Sequence, residues 1–254
     1  MKLKAQKSLS DETVRYPQYG SGMATLDVLF YHEAGMEDPE VTAEFVTEVT
    51  NQAMLDSRID MQINIVGIKA LEVDASLLQE EVLDQMFEAE GAFSGIETDR
   101  SFYGADLVLT LRENIPASDD ACGIAFMGVQ DGEPYRGAYS AVVQWAPVGP
   151  GGTYCTDTTT AHEIGHLLGS RHERRISAGS TGAYPYSFGH YGSGFHTIMS
   201  YGDEPERPYF SNPDLIACRG FPCGLPESDP DSADNARGFA QTRFMLGGYE
   251  GDTF

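Results

Sequence analysis

The stretch Ala161-His162-Glu163-Ile164-Gly165-His166-Leu167-Leu168-Gly169-Ser170-Arg171-His172 decides how the rest of the chain is read. Residues four apart on a helix share one face, with Cβ atoms about 5–6 Å apart, so His162 and His166 can direct imidazole nitrogens at one ion at about 2.0–2.1 Å. Continued helix would carry His172 about 15 Å along the axis from His162, out of reach. Gly169 supplies the break: lacking Cβ, it can take a left-handed conformation at the helix end and turn the chain back, bringing His172 to the pair. Glu163 lies beside the pair and is not needed as a ligand. The spacing reads H-E-x-x-H-x-x-G-x-x-H. Two fixed positions beyond a bare HExxH, each met by chance about once in twenty, lower the accidental rate roughly four-hundredfold.

The 254 residues can bury a sizeable core, and the 41% hydrophobic content argues against disorder. No apolar run reaches the length of a membrane span. Formal net charge is −23, from 39 acidic against 16 basic residues, which disfavours nucleic acid and anionic membranes as partners. The acidic loop Glu227-Ser228-Asp229-Pro230-Asp231 is a candidate calcium site without diagnostic ligand spacing. Cys122, Cys155, Cys218 and Cys223 allow three pairings. Cys218 with Cys223 would close a tight loop containing Gly220 and Pro222, and Cys122 with Cys155 would tie a strand to the entry of the histidine helix. That pairing is favoured over a structural zinc site made of all four cysteines, which wants two short spacings. Disulfides imply an oxidising compartment. Residues 1–22, a polar arm, lack the apolar core of a signal peptide. The sequence is therefore expected to be the processed form of an extracellular protein, and a monomer.

Along the chain, Ala24 to His32 reads as a strand and Pro39 opens a helix in which Val41, Phe45, Val49 and Ala53 recur. Met61 to Leu71 alternates as a strand. A second helix, about Ser76 to Ala89, sets Leu78, Val82 and Met86 on one face, with Ser76 and Gln79 as a capping box. Asp106 to Leu111, Cys122 to Val129 and Ala138 to Gln144 are further strands, and Asp157 or a threonine after it caps the histidine helix. The β-α-β-α-β order predicts an α/β (α+β) fold with a twisted, mostly parallel sheet flanked by helices. From Ser177 to Gly194, Gly, Tyr, Ser and Pro dominate, so the chain divides at the end of the histidine helix, 23–172 against 173–254, within a single catalytic domain. Tyr184, Tyr186, Phe188 and Phe195 either line a pocket or form the core of the second part. Tyr209 to Pro213 is a turn and Ser232 to Leu246 a final helix, with Ala236, Phe239 and Ala240 inward.

The extended histidine motif resembles that of the metzincin clan of zinc endopeptidases at every fixed position. Thr197-Ile198-Met199-Ser200-Tyr201 is similar to the clan's methionine turn. The resemblance implies five strands with an antiparallel edge strand, Cys122 to Val129, rimming the cleft and binding substrate by main-chain pairing. It also implies a smaller, irregular C-terminal lobe, Met199 beneath the metal, and Tyr201 near it. Cys122-Gly123-Ile124-Ala125, Tyr154-Cys155, Phe210-Ser211-Asn212-Pro213 and Asp234-Asn235-Ala236-Arg237 resemble the bacterial reprolysin-like metallopeptidases, a group that includes peptidyl-Asp metallopeptidases; the likeness spans roughly residues 104 to 248. One position departs: reprolysins usually carry Asp after the third histidine, whereas this chain has Glu173, as astacins do.

These residues imply a zinc endopeptidase. His162, His166 and His172 hold the ion, and a water in the open fourth position has its pKa lowered to about 7. Glu163 acts as general base, and Tyr201 donates to the developing oxyanion. His190 and His196 are surplus, since a catalytic zinc keeps a position open. Arg171, Arg174, Arg175 and Arg207 are candidates for recognising an acidic target residue, against the plainer reading that they are solvated. A target-restricted protease, for instance on a glycoprotein, and a zinc-braced, non-catalytic binding or adhesion module are the alternatives.

Overall fold

The computed structural model describes residues 22–116, 118–119, 121–135, 139–144, 155–177 and 179–247. The expected arm thus falls outside the described residues except for Gly22, and the Val148 to Gly152 loop and Tyr154 fall outside entirely. Strands β1 (Ala24–Glu33), β2 (Met61–Leu71), β3 (Leu107–Arg112), β4 (Gly123–Ala125) and β7 (Ser140–Gln144) form one five-stranded sheet in the order β2-β1-β3-β7-β4. All neighbours are parallel except β4 and β7, so β4 is an antiparallel edge. Every residue of β3 is buried, as a parallel strand covered on both faces requires. Its last residue, Arg112, is fully buried and donates through Nε to Glu33 at the end of β1, 3.0 Å away. The other Glu33 oxygen accepts the backbone N–H groups of Glu113 and Asn114. A buried ion pair satisfied on all sides in this way fixes register more than it adds stability.

Helix α1 (Pro39–Asp56) buries Thr42, Ala43, Val46, Thr50, Ala53 and Met54. Of the recurring Val41, Phe45, Val49 and Ala53, the first two are exposed, Val49 is half-buried and Ala53 is buried. Each step of four residues advances 400°, so a strict every-fourth row drifts about 40° per step around the helix and leaves the contact face. Helix α2 (Gln79–Glu88) starts three residues later than expected. Ser76 instead bonds Asp74, and Glu81 accepts the Leu78 N–H at 2.8 Å, so no Ser76–Gln79 box forms. A turn of 3-10 helix (Gly91–Phe93) and helix α3 (Ile96–Tyr103), neither expected, precede β3.

The predicted strand Cys122 to Val129 is broken. After β4 the chain leaves the sheet, and β5 (Val129–Gln130) pairs with β6 (Glu133–Pro134) as a separate hairpin. Gly128 is the cause: its N–H donates to the His166 carbonyl, and a Cβ there would sit 2.1 Å from the Leu167 carbonyl oxygen. The chain is thereby pulled off the sheet and onto helix α4 (Thr159–Leu167).

Beyond α4 regular structure is sparse. Strands β8 (Tyr191–Gly192), β9 (Phe195–Thr197) and β10 (Glu206–Arg207) form a small sheet in the order β10-β9-β8. Helix α5 (Asn235–Leu246) is capped by Asp234, whose carboxylate accepts the Arg237 N–H. One continuous apolar core runs from Leu26 on β1 through Ile164 on α4 and Met199 to Phe239 and Leu246 on α5. Tyr186, Phe188 and Phe195 are buried core residues, and the stretch Tyr209 to Pro213 is bolted to the end of α1 by Phe210 N–H to Ser57 Oγ and Asn212 to the Ser57 carbonyl. Among the described residues, no helix is long and apolar enough to cross a membrane.

Candidate active site

Helix α4 is short and buried on almost every side. No side chain caps its start: Thr158 occupies the N-cap position but turns its hydroxyl to Glu206, and Asp157 is exposed. Midway, Gly165 allows Met199 to come close, since a Cβ there would stand 2.4 Å from the Met199 sulfur. At the far end Gly169 has φ 91°, the left-handed region that favours glycine. Its N–H donates to the His166 carbonyl and the Ser170 N–H to the Gly165 carbonyl, closing the helix as the chain reverses.

That reversal sets His172 Nε2 3.0 Å from both His162 Nε2 and His166 Nε2. Tetrahedral coordination at about 2.0–2.1 Å would place ligand nitrogens roughly 3.3 Å apart. The tautomers follow from the partners behind the rings. His162 Nδ1 lies 2.7 Å from the Ile198 carbonyl and His166 Nδ1 2.8 Å from the Ser170 carbonyl. Carbonyls only accept, so both Nδ1 atoms carry the proton and both Nε2 atoms present lone pairs to one point. Backing of this kind is how ligand imidazoles are oriented. Burial pushes the His162 imidazole down to about 3 and His172 down to about 4, and holds His166 well below the ordinary value, so all three rings are neutral. Among the described residues this is the one group of three such side chains with ligand atoms close enough to share an ion. Donors of this type, neutral and convergent, suit zinc.

Glu163 is 3% exposed, and its Oε2 is buried without a hydrogen-bond partner. Burial pushes the carboxyl up to about 8. Gly123 on β4 makes room for it, since a Cβ there would meet Glu163 Oε1 at 2.5 Å. A buried carboxylate oxygen left unpaired is costly in a structural role and is what a proton acceptor for a small reactant requires. The Tyr201 hydroxyl stands 3.1 Å from His162 Nε2, and its ring packs beside His172 with centroids 4.6 Å apart. Glu163, His162 and Tyr201 line a cleft of about 390 Å³, with Gly123 on one wall and Glu206 on another.

Two further residues position this group: Glu173, to which the sequence assigned no role, and Arg175, which it offered only as a candidate for recognising an acidic target residue. Glu173, buried next to His172, accepts the Tyr201 N–H at 3.1 Å and the Arg175 guanidinium at 2.9 Å, which links the third histidine to the methionine turn. Only its place after His172 hinted at this. Arg175 also donates to the Tyr201 carbonyl. Of the other candidate arginines, Arg171 donates to the Thr181 carbonyl and Arg174 to Ser232, and neither lines the cleft. His196 lines the cleft but is not in the histidine cluster, and nor is His190. In the acidic loop, Glu227 pairs with Arg237 and Asp229 accepts the Asp231 N–H, with no ligand cluster for calcium among the described residues. The disulfides join Cys122 to Cys155 and Cys218 to Cys223, with Cα atoms 5.4 and 5.1 Å apart. The first ties the start of the edge strand to the entry of α4; a loop of that length is worth roughly 3–4 kcal/mol by chain-entropy reasoning.

Fold and site define a protein built around three convergent histidines that could hold a metal ion, on a helix that ends in a glycine turn. Residues 92–228 match the reprolysin-like model of metallo-peptidase family M12B, and the chain belongs to that family. It is 32% identical over 146 residues to a peptidyl-Asp metalloendopeptidase of Pseudomonas aeruginosa, covering 50% of this chain and 24% of the relative. A protein of the same name from Stenotrophomonas maltophilia is 27% identical over 211 residues, covering 79% of this chain and 45% of the relative. The chain thus spans less than half the length of either relative. Among solved structures, a chain from a chaperone–substrate complex shares the fold, with a TM-score of 0.69 at 18% identity, covering 89% of this chain and 39% of that one.

Proposed function

We propose that this chain is a zinc-dependent endopeptidase, with His162, His166 and His172 holding the ion and Glu163 as general base. The observation that carries this reading is the pairing of three convergent Nε2 atoms with a buried, unpartnered carboxylate oxygen on the adjacent residue. When bound, zinc supplies Lewis acidity for a water and for the substrate carbonyl.

The chain's own residues do the rest. Glu163 Oε2 accepts a proton from the attacking water and passes it to the leaving amine; a carboxyl raised by burial suits both transfers near neutral pH. The Tyr201 hydroxyl, held by the Glu173 bond to its backbone, donates to the oxygen on which negative charge develops. Met199 and Ile198 fix the floor: one packs under Gly165, the other holds the His162 ring. An extended peptide pairs with the free edge of β4, over Gly123–Ala125, a shorter platform than the residues 122–129 expected from sequence. Gly169 acts by letting the chain reverse. A non-catalytic module braced by zinc would have no use for the orphaned Glu163 oxygen, and a structural zinc favours a closed four-ligand shell. The disulfides support an oxidising, extracellular setting.

The test is casein hydrolysis with and without a chelator. Activity should vanish on chelation and return with added zinc; hydrolysis indifferent to the chelator would refute the proposal. In the same assay Tyr201→Phe should lower kcat more than it changes KM, and an unchanged kcat would make the phenol structural.

A further inference from the structure

The relatives' name points to aspartate, but the cleft wall next to Glu163 is built for the opposite charge. Glu206 lies on β10 directly beside His196 of β9, and both line the cleft together with Thr158 and Thr159 at the start of α4. One Glu206 oxygen, Oε1, accepts the Thr158 hydroxyl, which aims the carboxyl at the helix entry. Oε2 takes no hydrogen bond among the described residues and is not sealed off from solvent. Asp157, exposed at the same entry, is close enough for its charge to act on Glu206. Among the described residues no lysine or arginine lines the cleft. Of the four arginines near the site in sequence, Arg171 and Arg174 bond groups away from the cleft, Arg175 is held by Glu173 and the Tyr201 backbone carbonyl, and Arg207 follows Glu206 on β10 without lining the cleft. The chain as a whole carries a net charge of −23.

An aspartate side chain entering this space would meet a carboxylate, lose water and find no lysine or arginine to pair with, a combination costly in a partly buried site. A lysine or arginine would supply the missing partner, and the overall field would draw it in. The space adjoins Glu163, the residue that protonates the leaving amine in the proposed reaction, so the side chain it receives belongs to the residue supplying that amine. We propose that Glu206 determines specificity, selecting a basic residue immediately after the scissile bond and rejecting an acidic one. This rests on the endopeptidase reading above.

The experiment uses quenched fluorescent peptides that differ only in Lys, Gln or Asp at that position, digested by the zinc-loaded protein. Wild type should favour Lys over Asp by about tenfold or more in kcat/KM, within the range that one well-placed polar contact gives. Glu206→Gln, which keeps the acceptor for Thr158, should bring the ratio to within about threefold, and Glu206→Lys should invert it. Circular dichroism confirms that both variants are folded. Preference for Asp in wild type, or a ratio unmoved by Glu206→Gln, would overturn the assignment. Binding of the same peptides to Glu163→Gln, read by fluorescence polarisation, keeps the two readings apart. Tighter binding of the Lys peptide, lost when Glu206→Gln is added, supports the subsite even if no peptide is cut; equal binding of all three without cleavage counts against it.

Discussion

Glu163→Gln is expected to take up zinc as wild type does and to lose casein hydrolysis by about 10²–10⁴-fold, the usual worth of a positioned general base. The amide keeps the size of the side chain, so the fit against Gly123, where a Cβ would come within 2.5 Å of Glu163 Oε1, is preserved. What is lost is an oxygen able to hold a proton. The change also removes a carboxyl that burial pushes up to about 8, so the variant should be at least as stable as wild type without metal. The measurement is paired: metal content and turnover on one preparation. Near wild-type turnover in the zinc-loaded variant would reject Glu163 as the base and leave it a packing residue.

Gly169→Ala is expected to damage the centre without touching a ligand. At φ 91° an L-residue incurs about 1–2 kcal/mol of backbone strain. The new methyl would also stand 2.5 Å from Ala183 Cβ and 2.7 Å from the Val129 carbonyl, so the turn must open. Opening moves His172 off the other two imidazoles. A loss of roughly 2–3 kcal/mol would lower the melting temperature by about 4–12 °C in a domain of this size, and zinc affinity should fall by tenfold or more. Gly220→Ala is the control: φ is 86°, but a Cβ there meets nothing within 4 Å. It should show the strain alone and keep its zinc. Equal metal affinity in the two variants would mean that the Gly169 turn does not place His172.

The centre was legible in the sequence because its chemistry is local. Helical spacing, one glycine and a returning histidine fit within eleven consecutive residues, His162 to His172, and leave few other arrangements. The parallel sheet was legible for a similar reason, since β1, β2 and β3 are apolar or alternating runs separated by helices. Where the sequence misled, distant contacts decide. The strand from Cys122 stops at Ala125 because Gly128 is captured by the carbonyl end of α4, almost forty residues further on. Helix α3 buries only Ile96 and Arg100, too few apolar positions for a period to show. On α1 the every-fourth recurrence of Val41, Phe45, Val49 and Ala53 does not mark the buried face, which is carried by Thr42, Ala43, Val46, Thr50, Ala53 and Met54. Glu206 carried no signal at all: its place in the cleft depends on the pairing of β10 with β9 and on a threonine 48 residues earlier. Glu173 was visible only as a departure from the usual aspartate, and its bond to Tyr201 needed the fold.

The most direct measurement is elemental analysis of protein purified without added metal or chelator, repeated after dialysis against zinc and on His172→Ala. The account predicts about one zinc per chain in wild type, restored after stripping, and a large loss of affinity in the variant, since two imidazoles alone hold zinc poorly. Wild-type protein that carries no transition metal and takes up none, or a His172→Ala variant that binds zinc as tightly as wild type, would contradict it.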